Sequence, residues 1–184
     1  MTELAEYGGE FKPDIKYGDF SKEVLVKALK AFGEFTHKLD GIWYLAVQEL
    51  MGNEKALACD MKVWERVLAL RNEITARVFG IEGTDITAAM KVQQLHPLAN
   101  VFDFELDIED NNRAVITVTG CPSLVSLERE GEGREREICH MVEPNVFRHH
   151  AHFFDPKIEV RPLKQPPRNS PDEICCQWEF KLEA

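Results

Sequence analysis

The sequence lacks the features that mark membrane-spanning, secreted and nucleic-acid-binding proteins. No apolar run reaches the roughly 18–20 residues that a membrane span needs. The acidic start at residues 1–6 lacks the basic and apolar regions of a signal peptide. The chain has 22 basic and 32 acidic residues, and the resulting net charge of −10 argues against nucleic acid and anionic membrane as main partners. We expect a soluble, cytoplasmic protein.

Several motifs with well-defined chemistry are also missing. The five cysteines are an odd number and include no C-x2-C pair, which argues against a disulfide framework and against a zinc finger. No Gly-rich phosphate loop stands between a strand and a helix, and the histidines do not form an H-E-x-x-H pattern. Any active or metal site must therefore be assembled by tertiary contacts.

The apolar pattern predicts one domain of the α+β class over residues 1–184. Residues 1–20 form an irregular arm, residues 21–97 a helical part with apolar positions at a spacing of 3.6, and residues 98–184 a strand-rich part. Ser21 and Gly52 suit the two ends of the first helix, with a possible break at Asp40-Gly41. Alternating segments then predict an antiparallel sheet of about four strands with intervening helices, against which the N-terminal helices pack.

Four of the five cysteines follow Gly120, in the strand-rich part. Cys121 ends a strand and precedes Pro122, so its thiol lies at a helix N-terminus, which favours thiolate. Cys139-His140 adds two soft ligands, whereas Cys175 and Cys176 are neighbours in a strand and point to opposite faces. We expect zinc or iron to be bound by ligands drawn from Cys121, Cys139, His140, Cys175 and Cys176. Buried, inert thiols are the alternative.

The helical part offers candidate acids beside indoles. Asp60 and Trp64 are four residues apart and share a helix face, so a carboxylate with a raised pKa is expected there. Glu49 is a second candidate for proton transfer, and exposed acids beside packed indoles are the alternative. The histidine-rich segment at residues 149–152 is interleaved with phenylalanines and favours packing over metal binding.

Taken together, these residues resemble a prokaryotic family of L-2-amino-thiazoline-4-carboxylic acid hydrolase-like proteins. The resemblance rests on residues 21–182: Asp40-Gly41-x-Trp43, Asp60-x-x-x-Trp64, Cys121-Pro122, Cys139 and Cys175-Cys176-x-Trp178-x-Phe180. The late cysteine before an aromatic strand also resembles 4-vinyl-reductase domains. The resemblance implies helices packed on an antiparallel sheet and a homodimer.

The resemblance implies a hydrolase that cleaves a C–N bond in a cyclic amidine-like small molecule. The expected catalytic residues are Cys121, Cys139, His140, Asp60 and Glu49, and the expected pocket residues are Trp43, Trp64, Cys175 and Trp178. Cys121 acts as nucleophile or metal ligand, with His140 as one choice of base. The alternative is a non-catalytic domain that binds a metal or small ligand, and the residues leave open whether the protein is an enzyme at all.

Overall fold

The α+β prediction is confirmed in a computed structural model that describes residues 3–182, so the first two and last two residues of the predicted domain lie outside the described part. The order of elements is α1 (Lys22–Met51), α2 (Asn53–Phe79), α3 (Ile86–Leu95), β1 (Asp103–Asp110), β2 (Arg113–Gly120), α4 (Pro122–Glu130), α5 (Arg134–Glu137), α6 (Glu143–Phe154), β3 (Ile158–Lys164) and β4 (Cys176–Leu182). Short 3-10 turns cover Tyr17–Asp19 and Pro97–Val101, and a π-helical turn at Ile138–Val142 leads into α6.

Local sequence explains where the helices begin and end. The Ser21 hydroxyl accepts a hydrogen bond from the backbone N–H of Val24, and the Asp85 carboxylate accepts one from Ala88 at 2.8 Å, which caps α1 and α3. Gly52 and Gly80 have positive φ angles of 88° and 62°, which end α1 and α2. The break predicted at Asp40-Gly41 is wrong: α1 continues for 30 residues because a helix accepts an exposed glycine at modest cost.

The four strands form one antiparallel sheet in the order β1-β2-β4-β3. β4 pairs with both β2 and β3, so it lies inside the sheet although it follows them in sequence. Ile116 stands opposite Trp178 and Val118 stands opposite Cys176. This register places the start of β4 beside the end of β2, where Cys121 follows.

The main core lies between one face of this sheet and helices α3 and α6. Ile116, Trp178 and Phe180 line the sheet side, and Phe147 packs on both aromatic rings at centroid distances of 4.9 and 5.9 Å. A second, smaller core joins the α1–α2 turn to the π-helical turn through Tyr44, Leu57 and Val142. The two cores hold the hairpin of α1 and α2 against the start of α6.

Within residues 3–182, no helix is both long and apolar enough to cross a membrane.

Candidate functional site: an acid–thiol cluster

Cys121 lies where the sequence predicts it, at the N-cap of α4 directly after β2. Its sulfur accepts a hydrogen bond from the backbone N–H of Leu124 at 3.4 Å. Burial nevertheless raises the pKa of Cys121 to about 11, since it outweighs that bond, and the negative charge of Glu143 adds to the rise. The expected free thiolate is therefore wrong for the protein alone: desolvation outweighs the helix terminus, and the thiol is protonated at neutral pH.

Two more thiols lie in electrostatic range of Cys121. Cys139 sits in the π-helical turn, where the Gln165 side chain donates to its carbonyl at 2.5 Å, and burial together with Glu143 raises its pKa strongly. Cys176 opens β4, and burial raises its pKa to about 12 even though the indole of Trp178 acts in the opposite direction. The β2–α4 junction, the π-helical turn and β4 thus bring three thiols to one end of the sheet.

Three carboxyl groups from the helices complete the group. Burial, together with the charges of Asp60 and Asp40, raises the pKa of Glu143, the first residue of α6, to about 7. Burial also raises the pKa of Asp60 on α2 to about 7; Asp40 adds to the rise, and the indole of Trp64 opposes it. Burial raises the pKa of Asp40 on α1 as well. We call the six residues Asp40, Asp60, Cys121, Cys139, Glu143 and Cys176 the acid–thiol cluster.

The cluster is recessed rather than sealed. All six side chains keep a partial exposure to solvent, although protein surrounds the Glu143 carboxyl closely enough to shift its pKa by burial. Among the described residues, no side chain forms a hydrogen bond or an ion pair with the Glu143 carboxyl. No arginine or lysine is among the causes of the pKa shifts of Asp60 and Glu143. Arg168 is in electrostatic range of Cys121, but among the described residues it pairs with Glu128 and not with a carboxyl group of the cluster.

Helix α1 reaches the cluster through a polar contact. His37 lies one turn before Asp40, and its Nε2 is 2.8 Å from the hydroxyl of Ser123 in the first turn of α4. The ring of His37 also packs edge-on against Phe102 at 5.6 Å. This contact holds α1 beside the loop that carries Cys121.

Not every predicted site residue joins the cluster. Trp43 and Glu49 are exposed on the outer surface of α1, because the side of this helix that carries Tyr44 is the one that packs inward. His140 is also exposed, and its Nε2–H donates to the Pro166 carbonyl at 2.6 Å, so that nitrogen is occupied. Trp64 joins the cluster through Asp60.

The two neighbouring cysteines differ in burial. Cys175, expected in the pocket, is buried beneath the cluster, where its thiol donates to the Thr119 carbonyl at 3.4 Å and receives a long contact from Arg168 at 3.8 Å. Cys176 is the one in electrostatic range of Glu143. Cys176 shares a face with buried Trp178, as the strand alternation predicts, and that face is the one covered by the helices. The indole Nε1 of Trp178 is buried without a hydrogen-bond partner among the described residues.

Sequence reasoning missed Glu143, His37 and the role of Asp40. Glu143 lies four residues after Cys139, which is one helical turn, and the π-helical turn joins the two. Pro144 lies in the first turn of α6 and gives no sign of the π-helical turn before it. Cys59, the one cysteine that precedes Gly120, is exposed on α2.

The metal prediction receives no direct geometric support. Within residues 3–182, no group of three or more His, Cys, Asp and Glu side chains is arranged closely enough to hold a metal ion. Two shallow depressions of about 600 and 380 Å³ lie elsewhere, one beside α6 and β3 and one beside the α4–α5 loop. The chemistry of the donor set remains that of a soft metal site, with three thiols and carboxyl oxygens.

Comparison with known proteins identifies a family but no activity. A family model described as "Family of unknown function (DUF6125)" matches residues 18–182. No curated protein and no solved structure matches the chain.

Proposed function

Because the chain belongs to the family of unknown function DUF6125, we propose its activity from the chemistry of the acid–thiol cluster: hydrolysis of a C–N bond in a cyclic amidine-like small molecule. Cys121 is the nucleophile, Glu143 is the general base and Asp60 is the general acid. The choice of substrate class rests on the resemblance to L-2-amino-thiazoline-4-carboxylic acid hydrolase-like proteins. The choice of residues rests on the cluster.

The observation that carries this proposal is the pair of carboxyl groups with a pKa of about 7, Asp60 and Glu143. A group that gives and takes protons at neutral pH works best when its pKa lies near that pH. Asp60 raises the pKa of Glu143, so the first proton lost by the pair leaves one carboxylate beside one carboxylic acid. That state supplies an acid and a base at the same time.

Glu143 also provides a base that can make a buried thiol reactive. The pKa of Cys121 is high, so its activation requires a base that takes the proton as the sulfur attacks. Glu143 is in electrostatic range of Cys121, whereas His140 is exposed and bonded to Pro166. Glu143 therefore replaces His140 as the proposed base.

The proposed reaction balances with water as the only co-reactant. The Cys121 proton passes to the Glu143 carboxylate while sulfur bonds to the amidine carbon; the C–N bond breaks, and the Asp60 carboxylic acid gives its proton to the leaving nitrogen. Water then bonds to the same carbon and loses a proton to the Asp60 carboxylate. The carbon–sulfur bond breaks, and Cys121 recovers its proton from Glu143. The products are an amide and an amine, and both carboxyl groups return to their starting states.

The test is turnover of L-2-amino-thiazoline-4-carboxylate and a small panel of cyclic amidines by wild type and matched variants. We expect Cys121→Ser, Glu143→Gln and Asp60→Asn each to lower kcat by about 10²-fold or more. Cys59→Ser and Glu49→Gln are the controls, since both side chains are exposed away from the cluster, and they should keep wild-type rates. Full activity of a folded Cys121→Ser protein would refute the nucleophile.

A second candidate, a non-catalytic metal-binding domain, is favoured by a different observation. The cluster holds three thiols and three carboxyl groups, and among the described residues no cation forms an ion pair with these carboxyl groups, although buried negative charge calls for a positive partner. Cys121, Cys139 and Cys176 together with Glu143 would be the ligands of zinc or iron, and they would have to move closer together to hold it. The metal would supply the positive charge that makes thiolates stable there.

Metal analysis of untagged protein, purified in reducing buffer without chelator, separates the two candidates. Near one zinc or iron per chain, lost in Cys176→Ser and kept in Cys59→Ser, would support the metal site. Protein without metal, whose thermal unfolding is indifferent to added zinc and to chelator, would leave the thiol mechanism as the candidate under test.

A further inference from the structure

A buried arginine without an acidic partner lies on α2, away from the acid–thiol cluster. Arg71 follows Asp60 by three helical turns, or about 16 Å along the axis. Its side chain is surrounded by protein but keeps partial exposure, and burial lowers its pKa to about 10. Among the described residues, no Asp or Glu forms an ion pair with it. Buried charges are ordinarily paired, so this guanidinium is an exception that calls for an explanation.

The hydrogen bonds of Arg71 go to neutral groups only. Its Nε and Nη2 donate to the Asn72 side-chain oxygen at 3.2 and 3.0 Å, and Nη2 donates to Nδ1 of His150 at 2.9 Å. His150 is buried and uses its other nitrogen, Nε2–H, to donate to the Ala89 carbonyl at 3.1 Å. This pattern holds His150 neutral and fixes the orientation of the guanidinium. The Nη1 group of Arg71 bonds to no described residue.

A second unused donor lies in electrostatic range of Arg71. His96 is buried, and its Nδ1 accepts a hydrogen bond from the backbone N–H of Leu98 at 3.2 Å. A neutral ring in this state carries its proton on Nε2, and that Nε2 has no partner among the described residues. The charge of Arg71 acts on His96 and, after burial, is the next cause that lowers the pKa of this imidazole.

We propose that this pair of donors is a binding site for a small oxyanion, a carboxylate or a phosphate group. An oxyanion at Nη1 of Arg71 would pair the buried charge and form a charge-assisted hydrogen bond, which is the strong kind. The Nε2–H of His96 supplies a second donor. Asn72 and His150 hold the guanidinium in place, so little side-chain freedom is lost on binding. The site does not depend on the proposed hydrolysis, since it is about three helical turns from Asp60.

The experiment measures thermal unfolding at pH 7 in sodium acetate, sodium phosphate and sodium chloride at matched ionic strength. At about 100 times the Kd, a bound anion should raise the Tm by about 5–10 °C relative to chloride. Acetate and phosphate distinguish a carboxylate site from a phosphate site. Arg71→Met should abolish the rise, and Arg77→Met, an exposed arginine on the same helix, should keep it.

A second measurement keeps the proposal testable if Arg71→Met fails to fold. Wild-type protein is treated with phenylglyoxal, which modifies arginine, and the modified peptides are mapped with and without the anion. Protection of Arg71 with continued labelling of Arg77 supports the site. No change of Tm in either anion and no protection of Arg71 would overturn it, and so would an equal loss of response in Arg77→Met.

Discussion

At the residue scale, the acid–thiol cluster holds carboxyl groups in a buried environment. Their ionisation near neutral pH destabilises the fold. Asp60 and Glu143 have folded pKa values of about 7, while unfolded carboxyl groups titrate near 4. The folded state holds these protons more tightly than the unfolded chain, which releases them first as the pH rises. The resulting stabilisation is fully present below a pH of about 4 and is lost as the pH rises through about 7. Residues held under such a penalty are typical of functional sites.

Replacing one acid with its neutral isostere should remove that penalty. We expect Asp60→Asn to be more stable than wild type at pH 8 by about 1–2 kcal/mol, a value reduced for the partial exposure of the side chain. The difference should shrink towards zero below a pH of about 3, where the wild-type carboxyl is protonated in both states. Urea unfolding at several pH values measures it. A constant difference for Asp60→Asn across the pH range would contradict the raised pKa.

At the element scale, two glycines of α1 differ in the space around them. A Cβ on Gly33 would lie 2.6 Å from the backbone carbonyl oxygen of Pro97, because α1 packs closely against the 3-10 turn there. A Cβ on Gly41 would meet nothing within 4 Å. One glycine is therefore needed for helix packing, and the other only lowers helix propensity.

The two alanine variants should move stability in opposite directions. Gly33→Ala should destabilise the protein by about 2–3 kcal/mol, since a backbone oxygen must shift. Gly41→Ala should stabilise it by about 0.5–1 kcal/mol, the usual gain in a helix interior. Equilibrium urea denaturation of both variants checks the pair. A destabilised Gly41→Ala protein would show that α1 bends or breaks at this position.

The elements themselves were largely predictable, because their signals are local. Ser21, Gly52 and Asp85 mark helix ends by backbone chemistry that needs no tertiary information. The inward face of α1 was not predictable, since this helix carries apolar residues on most of its circumference. The family resemblance places Trp43 in the pocket, whereas the helix turns Tyr44 inward. Glu143 and Cys176 depend on where separate elements meet, which periodicity does not encode.

At the scale of the whole molecule, the hairpin of α1 and α2 exposes a wide apolar surface. Positions 29, 32, 36, 39, 43, 46 and 50 of α1 follow a heptad spacing, and their large members are Leu29, Phe32, Leu39, Trp43 and Leu50. Val63, Val67, Leu70 and Ile74 repeat the 3–4 spacing on α2. Side chains of this size, roughly half exposed, amount to on the order of 1,000 Å², and a stable interface buries about 800 Å² per partner.

We expect a second copy of the chain to cover this surface. Apolar residues at heptad spacing pack against other helices. In a symmetric dimer, the α1–α2 hairpin of one copy would pack against the same hairpin of the other. Sedimentation or light scattering should give a dimer for wild type and a monomer for Leu39→Glu. Leu163→Glu, a similarly exposed leucine on β3, should stay dimeric. A wild-type protein that is monomeric at micromolar concentration would exclude a second copy of the chain as the partner of this surface.

The strand order has a consequence for how the chain acquires its fold during synthesis. β4 separates β2 from β3, yet it follows both in sequence, so a nascent chain that has emerged only through residue 164 holds two strands that lack their common neighbour. Cys176 and Trp178 arrive with that strand. The sheet and the acid–thiol cluster are therefore completed in the same step, and no nascent chain that ends before Cys176 carries a finished site.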